Sequence, residues 1–329
     1  MQVSKEEART PRIAILMAVY EPRMDWLEAQ LRSLDAQTYP NLRLYIRDDC
    51  SPTVSFESIA ACVEDCIHAF PFELRRNEKN LGSNGTFERL TEEAEGDFFA
   101  YCDQDDIWLP EKLAALQEAM ASNGALLVCS DMYIIDGEGR QTADSITKVR
   151  RHHVFRSGEG LAPGLLICNF VTGCTMLVNA RHAKEAAPFC PYMVHDHYLA
   201  LWCAAKGKIV SLSDRLVRYR IHGGNQTPIM AGVVDKQSYR RIRIDSLIDR
   251  LTWLKERFSD DAELNGEISE ALAWARARKG NFDGDRQARR EIRRLRRFGS
   301  KVSLFELVLA RAPASVFTVF IHLAQKNIL

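Results

Sequence analysis

Short apolar runs alternate along the first two-thirds of the chain with longer stretches in which apolar residues recur at helical spacing. Residues 12–20, 42–47, 72–75, 97–102 and 125–129 read as strands, being short, apolar and bounded by turn-forming residues. Residues 25–37 carry Trp26, Leu27, Leu31 and Leu34 on one helical face, with Asp25 placed to cap the first turn. Residues 55–70, 83–95 and 110–122 repeat that periodicity, and Pro110 suits the first turn of its helix. Strands alternating with helices predict an α/β domain built on a mostly parallel, doubly wound sheet.

The pattern then loosens. Residues 137–164 are polar and rich in Gly, Arg and His, and read as a long loop. Strand character returns at 169–179 around Thr172-Gly173-Cys174; a helix is expected over 195–205 and strands over 209–212 and 216–221. The division expected is a tail over 1–10, one domain over 11–228 and a helical, basic and amphipathic extension over 229–329. In that extension, residues 235–258 and 261–279 read as amphipathic helices, 286–298 as an arginine-dense helix, and 302–329 as an apolar segment broken at Pro313.

Formal net charge is zero over 329 residues, yet it conceals a split. Residues 1–150 hold 15 Lys/Arg against 27 Asp/Glu, a balance of −12. Residues 276–301 hold 11 basic and 3 acidic residues, a balance of +8. The acidic front argues against nucleic acid as a partner, since phosphate backbones need a cationic surface. The nine cysteines include no Cys-x-x-Cys pair, and Cys62 with Cys66 lacks a second pair to complete a zinc site. Reduced thiols in a cytoplasmic protein are the expectation. The first ten residues lack the apolar core of a signal peptide, and no stretch reaches the roughly 18 apolar residues of a spanning helix.

The chemistry concentrates where apolar runs end. After residues 98–102 come Asp103, Asp105 and Asp106, three carboxylates within four positions. Like charges so close repel unless a cation lies between them, and a hard divalent ion with positions open to phosphate oxygens is the natural occupant. Ligands of open α/β sheets gather outside the carboxyl ends of the strands. Tyr20 and Glu21 follow the first strand, and Asp48 and Asp49 the second. A carboxylate there can accept the imide N–H of uracil or thymine and bond ribose; the same residues also make an ordinary turn. Asn80 and Gly82 stand between a strand and a helix, as a base or phosphate contact or as a plain helix entry. Asp196, between His195 and His197, opens a helix as a base or as a cap. His222 follows a strand, with Arg218 and Arg220 close before it and Gly223-Gly224 after it.

Taken in order, Ala18-Val19-Tyr20-Glu21, Asp48-Asp49-Cys50-Ser51, Asn80-Leu81-Gly82, Asp103-Gln104-Asp105-Asp106, Thr172-Gly173, His195-Asp196 and the run from Arg220 to Asn225 resemble the family-two inverting glycosyltransferases of the GT-A fold. The likeness spans residues 12–227 and is greatest to bacterial enzymes of O-antigen, capsule and other surface polysaccharides, rhamnosyltransferase-like members included. It implies a GT-A (Rossmann-like) domain with a UDP- or dTDP-sugar as donor. Ala18, Tyr20, Glu21, Asp48, Asp49, Asn80, Gly82, Asp103 and Gln104 would hold the nucleotide. Asp105, with Asp103 and His222, would hold Mn²⁺ or Mg²⁺; Asp196 would be the base; Trp108, Thr172, Gly173 and His195 would line the sugar or acceptor pocket. The acceptor implied is a growing, polyprenyl-diphosphate-linked glycan, which places the enzyme on the inner face of the cell membrane.

The tail bears on that location. Arg289, Arg290, Arg293, Arg294, Arg296 and Arg297 precede the apolar residues Leu304, Phe305, Leu307, Val308, Leu309, Val316, Phe317, Val319, Phe320 and Ile321. The pairing suits an anionic membrane surface, with a homo-oligomer contact and plain core as the competing uses. Two other functions compete with transfer. A sugar nucleotidyltransferase needs a Gly-rich basic loop after the first strand, where Glu21-Pro22-Arg23 offers none. A nucleotide-binding scaffold without turnover would not need the full acid set.

Overall fold

The computed structural model describes residues 9–150, 152–222 and 232–325. They form two compact units: the described residues of 1–161, 169–189 and 194–222 make one, and those of 162–168, 190–193 and 223–329 the other. The Gly223-Gly224-Asn225 stretch lies outside the described residues.

The first unit is a nine-stranded sheet in the order β3-β2-β1-β4-β8-β6-β9-β5, with β7 paired to β6. The strands are β1 (Ile13–Val19), β2 (Leu42–Asp48), β3 (Phe72–Arg76), β4 (Phe98–Cys102), β5 (Ile107–Trp108), β6 (Leu127–Ile135), β7 (Gln141–Ala143), β8 (Met176–Asn179) and β9 (Ile209–Arg220). The helices α1 (Met24–Asp35), α2 (Phe56–Cys66), α3 (Gly82–Glu93) and α4 (Lys112–Asn123) alternate with the leading strands. The short helices α5 (Ile146–Val149) and α7 (Ala180–Glu185) precede α8 (His195–Lys206), while α6 (Ala162–Leu165) belongs to the second unit. β1 is central and buried on both faces, which is why its sequence is a continuous apolar run. β3 lies at one edge and carries Glu73, Arg75 and Arg76, charges that discourage pairing with another chain.

The sheet corrects the expectation of mostly parallel pairing. β1, β2, β3 and β4 are parallel, and so are β6 and β9, but β8 runs antiparallel to both β4 and β6, β5 to β9 and β7 to β6. The alternation of helix and strand stops after α4, so nothing enforces a parallel return. Other elements shift for local reasons. Asp25 is not the cap of α1: Arg23 occupies that position, and its guanidinium bonds the Asp25 carboxylate at 2.6 and 3.1 Å. Residues 173–175 form a 3-10 turn rather than strand, closed by Thr175 N–H and Oγ1–H donating to the Thr172 carbonyl. The two strands expected over 209–221 are one, with exposed Ser213, Asp214 and Arg215 at a register shift against β6.

In the second unit, residues 236–257 are helical throughout but contain a π turn (Arg241–Asp245) between α9 (Lys236–Arg240) and α10 (Ser246–Arg257). They are followed by α11 (Ala262–Phe282), α12 (Arg286–Arg294), α13 (Ser300–Leu309) and α14 (Ala314–Gln325). Tyr239, Ile244, Leu309, Phe317 and Ile321 form one buried cluster, and Ala277, Ala288 and Ile292 another. No helix of the described residues is long and apolar enough to cross a membrane.

Candidate active site

Val19 pairs with Asp48 and Met17 with Cys102, so the carboxyl ends of β2, β1 and β4 stand side by side. At the usual strand spacing the outer two are about 10 Å apart. The loops leaving these ends carry the predicted nucleotide residues. Asp48 is buried; its Oδ1 accepts from Ser51 N–H at 3.1 Å and Oγ–H at 2.6 Å, and Oδ2 pairs with Arg76 at 3.1 Å. Asp49 is buried too. Its carboxylate accepts from Asn77 Nδ2 at 2.7 Å, Leu81 N–H at 2.7 Å and Gly82 N–H at 2.8 Å. Both acids thus shape their own loop, and Asp49 holds the turn into α3 at Gly82, whose φ of +73° suits glycine. Asn80, exposed, accepts from Gly82 N–H at 3.0 Å and donates to the Asp49 carbonyl.

Glu21 joins the first two strand ends. Its carboxylate accepts from Thr53 N–H and Oγ1–H and from Val54 N–H, and the Thr53 bonds hold its pKa below the usual range. Its own N–H donates to Ser51 Oγ at 2.9 Å. Tyr20 is exposed and Ala18 half-buried. Gln104 joins β1 to the acidic loop by accepting from Tyr20 N–H at 2.8 Å and donating to the Tyr20 carbonyl at 3.0 Å.

The three aspartates of that loop occupy different surroundings. Asp106 is buried and accepts from Arg220 N–H at 2.9 Å. Burial, and then the neighbouring Asp105 charge, push its pKa up to about 7. Asp105 shares a 2.7 Å contact with His222 Nε2, while its carbonyl accepts from Arg220 Nε at 2.8 Å. Both Arg220 and His222 lie against Trp26, at 4.9 Å from guanidinium to ring centroid and 4.8 Å between ring centroids. Arg220 is therefore buried against protein carbonyls, and Arg218 is exposed. Asp103 is half-buried, and its carboxylate has no hydrogen-bond partner among the described residues. Burial first, then Asp106, Asp105 and Asp196, raise its pKa well above the ordinary value. Asp196 therefore lies within electrostatic reach of the acidic loop.

Asp196 stands in the first turn of α8. Its carboxylate accepts from Asn169 Nδ2 at 3.1 Å and Gly173 N–H at 3.0 Å, and burial pushes its pKa up to about 6. Gly173 is required by space: a Cβ there would lie 2.8 Å from His195 Nε2. His195 is buried against Phe87 at a ring separation of 4.1 Å, and burial takes its pKa down to about 3. Its neutral ring packs against Gly173, Phe87 and Tyr101, so it is a buried group and not the exposed pocket wall expected. Thr172 keeps partial exposure beside Gly173. Trp108 corrects an expectation: its side chain is wholly buried, with Lys112 Nζ 2.8 Å from the ring centroid, so it packs under the site and lines no pocket.

Sequence reasoning missed the floor of the site. Lys112 is fully buried, donates to the Cys174 carbonyl at 2.7 Å and has its pKa lowered to about 7 by burial. The thiol of Cys174 lies with Asp103 and Asp106 in a group whose ligand atoms fall within 4.8 Å of one another. A lysine two places beyond Pro110, on the apolar face of a helix, was the visible signal. The group fits a hard divalent cation through the carboxylate oxygens of Asp103 and Asp106. It does not fit one at Cys174, whose buried thiol is held protonated and is a soft donor.

Residues 14–181, just over half of the chain, match Glycosyl transferase family 2. The chain belongs to that family. It is a glycosyltransferase, and its sheet with helical flanks and C-terminal helices is a GT-A-like fold. Among its relatives is the dTDP-rhamnosyl transferase RfbG of Shigella flexneri, 23% identical over 267 residues, covering 77% of this chain and 88% of the relative. Another is the UDP-Glc:alpha-D-GlcNAc-diphosphoundecaprenol beta-1,3-glucosyltransferase WfaP of Escherichia coli, 26% identical over 218 residues, covering 65% and 78%. The solved structure of S. aureus TarS 1–349 in complex with UDP-GlcNAc is similar in fold, with a TM-score of 0.53 and 16% identity over 85% of this chain and 83% of that one.

Proposed function

We propose that the protein is an inverting, metal-dependent glycosyltransferase that moves a sugar from a UDP- or dTDP-linked donor to a hydroxyl of a lipid-linked bacterial surface glycan. The observation that carries this reading is geometric: Gly173 N–H donates to Asp196 at 3.0 Å, and the next residue, Cys174, has its thiol grouped with Asp103 and Asp106 of the acidic loop within 4.8 Å. The RfbG and WfaP relatives supply the donor classes, and WfaP the diphosphoundecaprenol acceptor. Residues 11–228 form the transferase domain in this reading, residues 229–329 its extension, and the inner membrane face its place of work.

Asp196 takes the proton of the acceptor hydroxyl as that oxygen bonds the anomeric carbon and the bond to the nucleoside diphosphate breaks. Attack opposite the leaving group inverts the centre. A pKa of about 6 leaves Asp196 ionised at neutral pH yet more basic than an exposed carboxylate. Asn169 and Gly173 N–H fix its orientation. Tyr20, Asn80 and the loop held by Asp49 face the nucleoside, Asp48 and Glu21 keep that loop in place, and Thr172 borders the acceptor. Asp103 and Asp105 hold the divalent ion, with His222 alongside. When bound, that ion neutralises charge developing on the departing diphosphate.

A thermal-shift panel of UDP-, dTDP- and GDP-sugars, with and without Mn²⁺, tests the reading. Stabilisation by a UDP- or dTDP-sugar that requires Mn²⁺ supports it, since a ligand at about 100 times its Kd adds roughly 2.7 kcal/mol. Equal stabilisation in the presence of chelator removes the metal from the mechanism, and no response to any donor removes the donor class.

A further inference from the structure

Of the eleven exposed large apolar side chains among the described residues, four fall on α13 and α14: Leu304, Val308, Val316 and Val319. Leu304 and Val308, 65% and 66% exposed, are one helical turn apart and form a stripe along α13. Packing fixes what borders it. Leu307, on one side of the stripe, packs on the cluster formed with Ala288 and Ile292 of α12. Phe305, on the other side, meets Phe317 of α14 at a ring separation of 5.6 Å. The stripe therefore runs between α14 and the arginine helix.

The arginines of that helix are of two kinds. Arg294 pairs with Glu291, and Arg297, just beyond the helix, with Glu267 and Glu270. Arg286, Arg290, Arg293 and Arg296 are exposed and have no acidic partner among the described residues. Lys301 adds another exposed cation one turn before Leu304 on α13. A solvated helix face has no need of four unpaired arginines beside bare leucine and valine. A second copy of the chain would have to bring an acidic surface against them.

We propose that α12 and α13 form a docking surface for an anionic lipid bilayer. Leu304 and Val308 enter the headgroup boundary, and Arg286, Arg290, Arg293, Arg296 and Lys301 engage lipid phosphates. Apolar insertion and charge attraction are the two contributions that hold an amphipathic segment in the interface. Val316 and Val319 extend the apolar area on α14. The surface does not depend on the donor site: a chain that binds no nucleotide sugar would still dock, and failure of either reading leaves the other standing.

The test is co-sedimentation of the full chain with phosphatidylglycerol–phosphatidylethanolamine vesicles and with pure phosphatidylcholine vesicles, at low and high salt. Binding to the anionic vesicles, weakened by salt and absent on phosphatidylcholine, is expected. Arg290→Glu with Arg293→Glu should weaken it at least about tenfold, since each basic residue near the surface contributes several-fold. Leu304→Asp with Val308→Asp should weaken it comparably, while circular dichroism and Mn²⁺-dependent donor stabilisation stay unchanged, showing that these exposed changes do not unfold the chain. Equal binding to both vesicle types, or anionic binding that survives either double substitution, overturns the proposal. Analytical ultracentrifugation supplies the other arm: a dimer that Leu304→Asp with Val308→Asp converts to monomer assigns the stripe to a second copy and overturns it as well.

Discussion

Gln104 bonds both polar atoms of the Tyr20 backbone, accepting from its N–H at 2.8 Å and donating to its carbonyl at 3.0 Å. The side-chain amide copies the pairing that a neighbouring strand would make, just past the point where β1 and β4 separate. It therefore ties Tyr20, the proposed nucleoside contact, to the loop that carries Asp103 and Asp105. Gln104→Leu removes two hydrogen bonds at a partly exposed position, each worth about 0.5–1.5 kcal/mol. The two together are worth about 1–3 kcal/mol, so the donor KM should rise between about fivefold and a hundredfold, with kcat less affected than KM. An unchanged KM would make the pair a local tie without influence on the donor.

On the mechanism proposed above, Asp196 is the base and sets the pH dependence. Burial raises its pKa to about 6, and the base works ionised. Activity should therefore be level above about pH 6 and fall as the pH drops through it, because protonation removes the acceptor of the hydroxyl proton. Asp196→Asn keeps the shape and loses the base, so transfer should fall by at least about a hundredfold while Mn²⁺-dependent donor stabilisation persists. Rate measurements from pH 5 to 8 together with thermal shift separate the two effects. An acid limb that remains in the variant at the same pH would assign the titration to another group.

Gly173 and His195 test the packing behind that base. An alanine Cβ at 173 would meet His195 Nε2 at 2.8 Å and His195 Cε1 at 3.2 Å, and the ring is held between Phe87 and Tyr101. Gly173→Ala should destabilise by about 1–3 kcal/mol, the usual range for overpacking, and disturb the N–H that Asp196 accepts. His195→Ala opens space on the same side. The double variant should cost less than the two single changes added together, read from urea midpoints. Strict additivity would mean that the two residues do not share the strain.

Much of this was legible in the chain, and the parts that were not have physical reasons. The leading four strands and their helices follow from periodicity, because central parallel strands are apolar on both faces. The acidic loop was visible because three carboxylates fall within four positions directly after an apolar run. Pairing beyond α4 was not visible: β8 is four residues long, and an antiparallel return leaves no local mark. The turn at 173–175 was hidden because Thr172 and Thr175 have strand propensity while their hydrogen bonds close a 3-10 turn. Lys112 left a trace as a lysine on an apolar helix face, but only tertiary packing reveals that its partner and those of Arg220 are carbonyls. Asp49 shows the same limit from the other side, as its bonds to Leu81 and Gly82 cross 32 and 33 positions of sequence.

The second unit has a polar centre whose energetics can be measured apart from the active site. Arg278 and Glu306 are both buried and meet in a two-pronged pair at 2.7 and 2.8 Å. Tyr239 donates to the same carboxylate at 2.8 Å, and Asn281 to the Glu306 carbonyl at 2.9 Å. Glu306→Ala would leave a buried guanidinium without its counter-charge and a buried phenol without an acceptor. Breaking such a pair from one side typically costs about 3–5 kcal/mol. Replacing both partners with apolar side chains, Arg278→Met with Glu306→Leu, removes the need for the charges and should restore much of the loss, because desolvation of the ions disappears with them. Urea denaturation followed by circular dichroism would show the single variant well below the double. If the double variant is as unstable as the single, the pair contributes net stability beyond its desolvation cost, and the α9, α11 and α13 helices depend on it for more than charge balance.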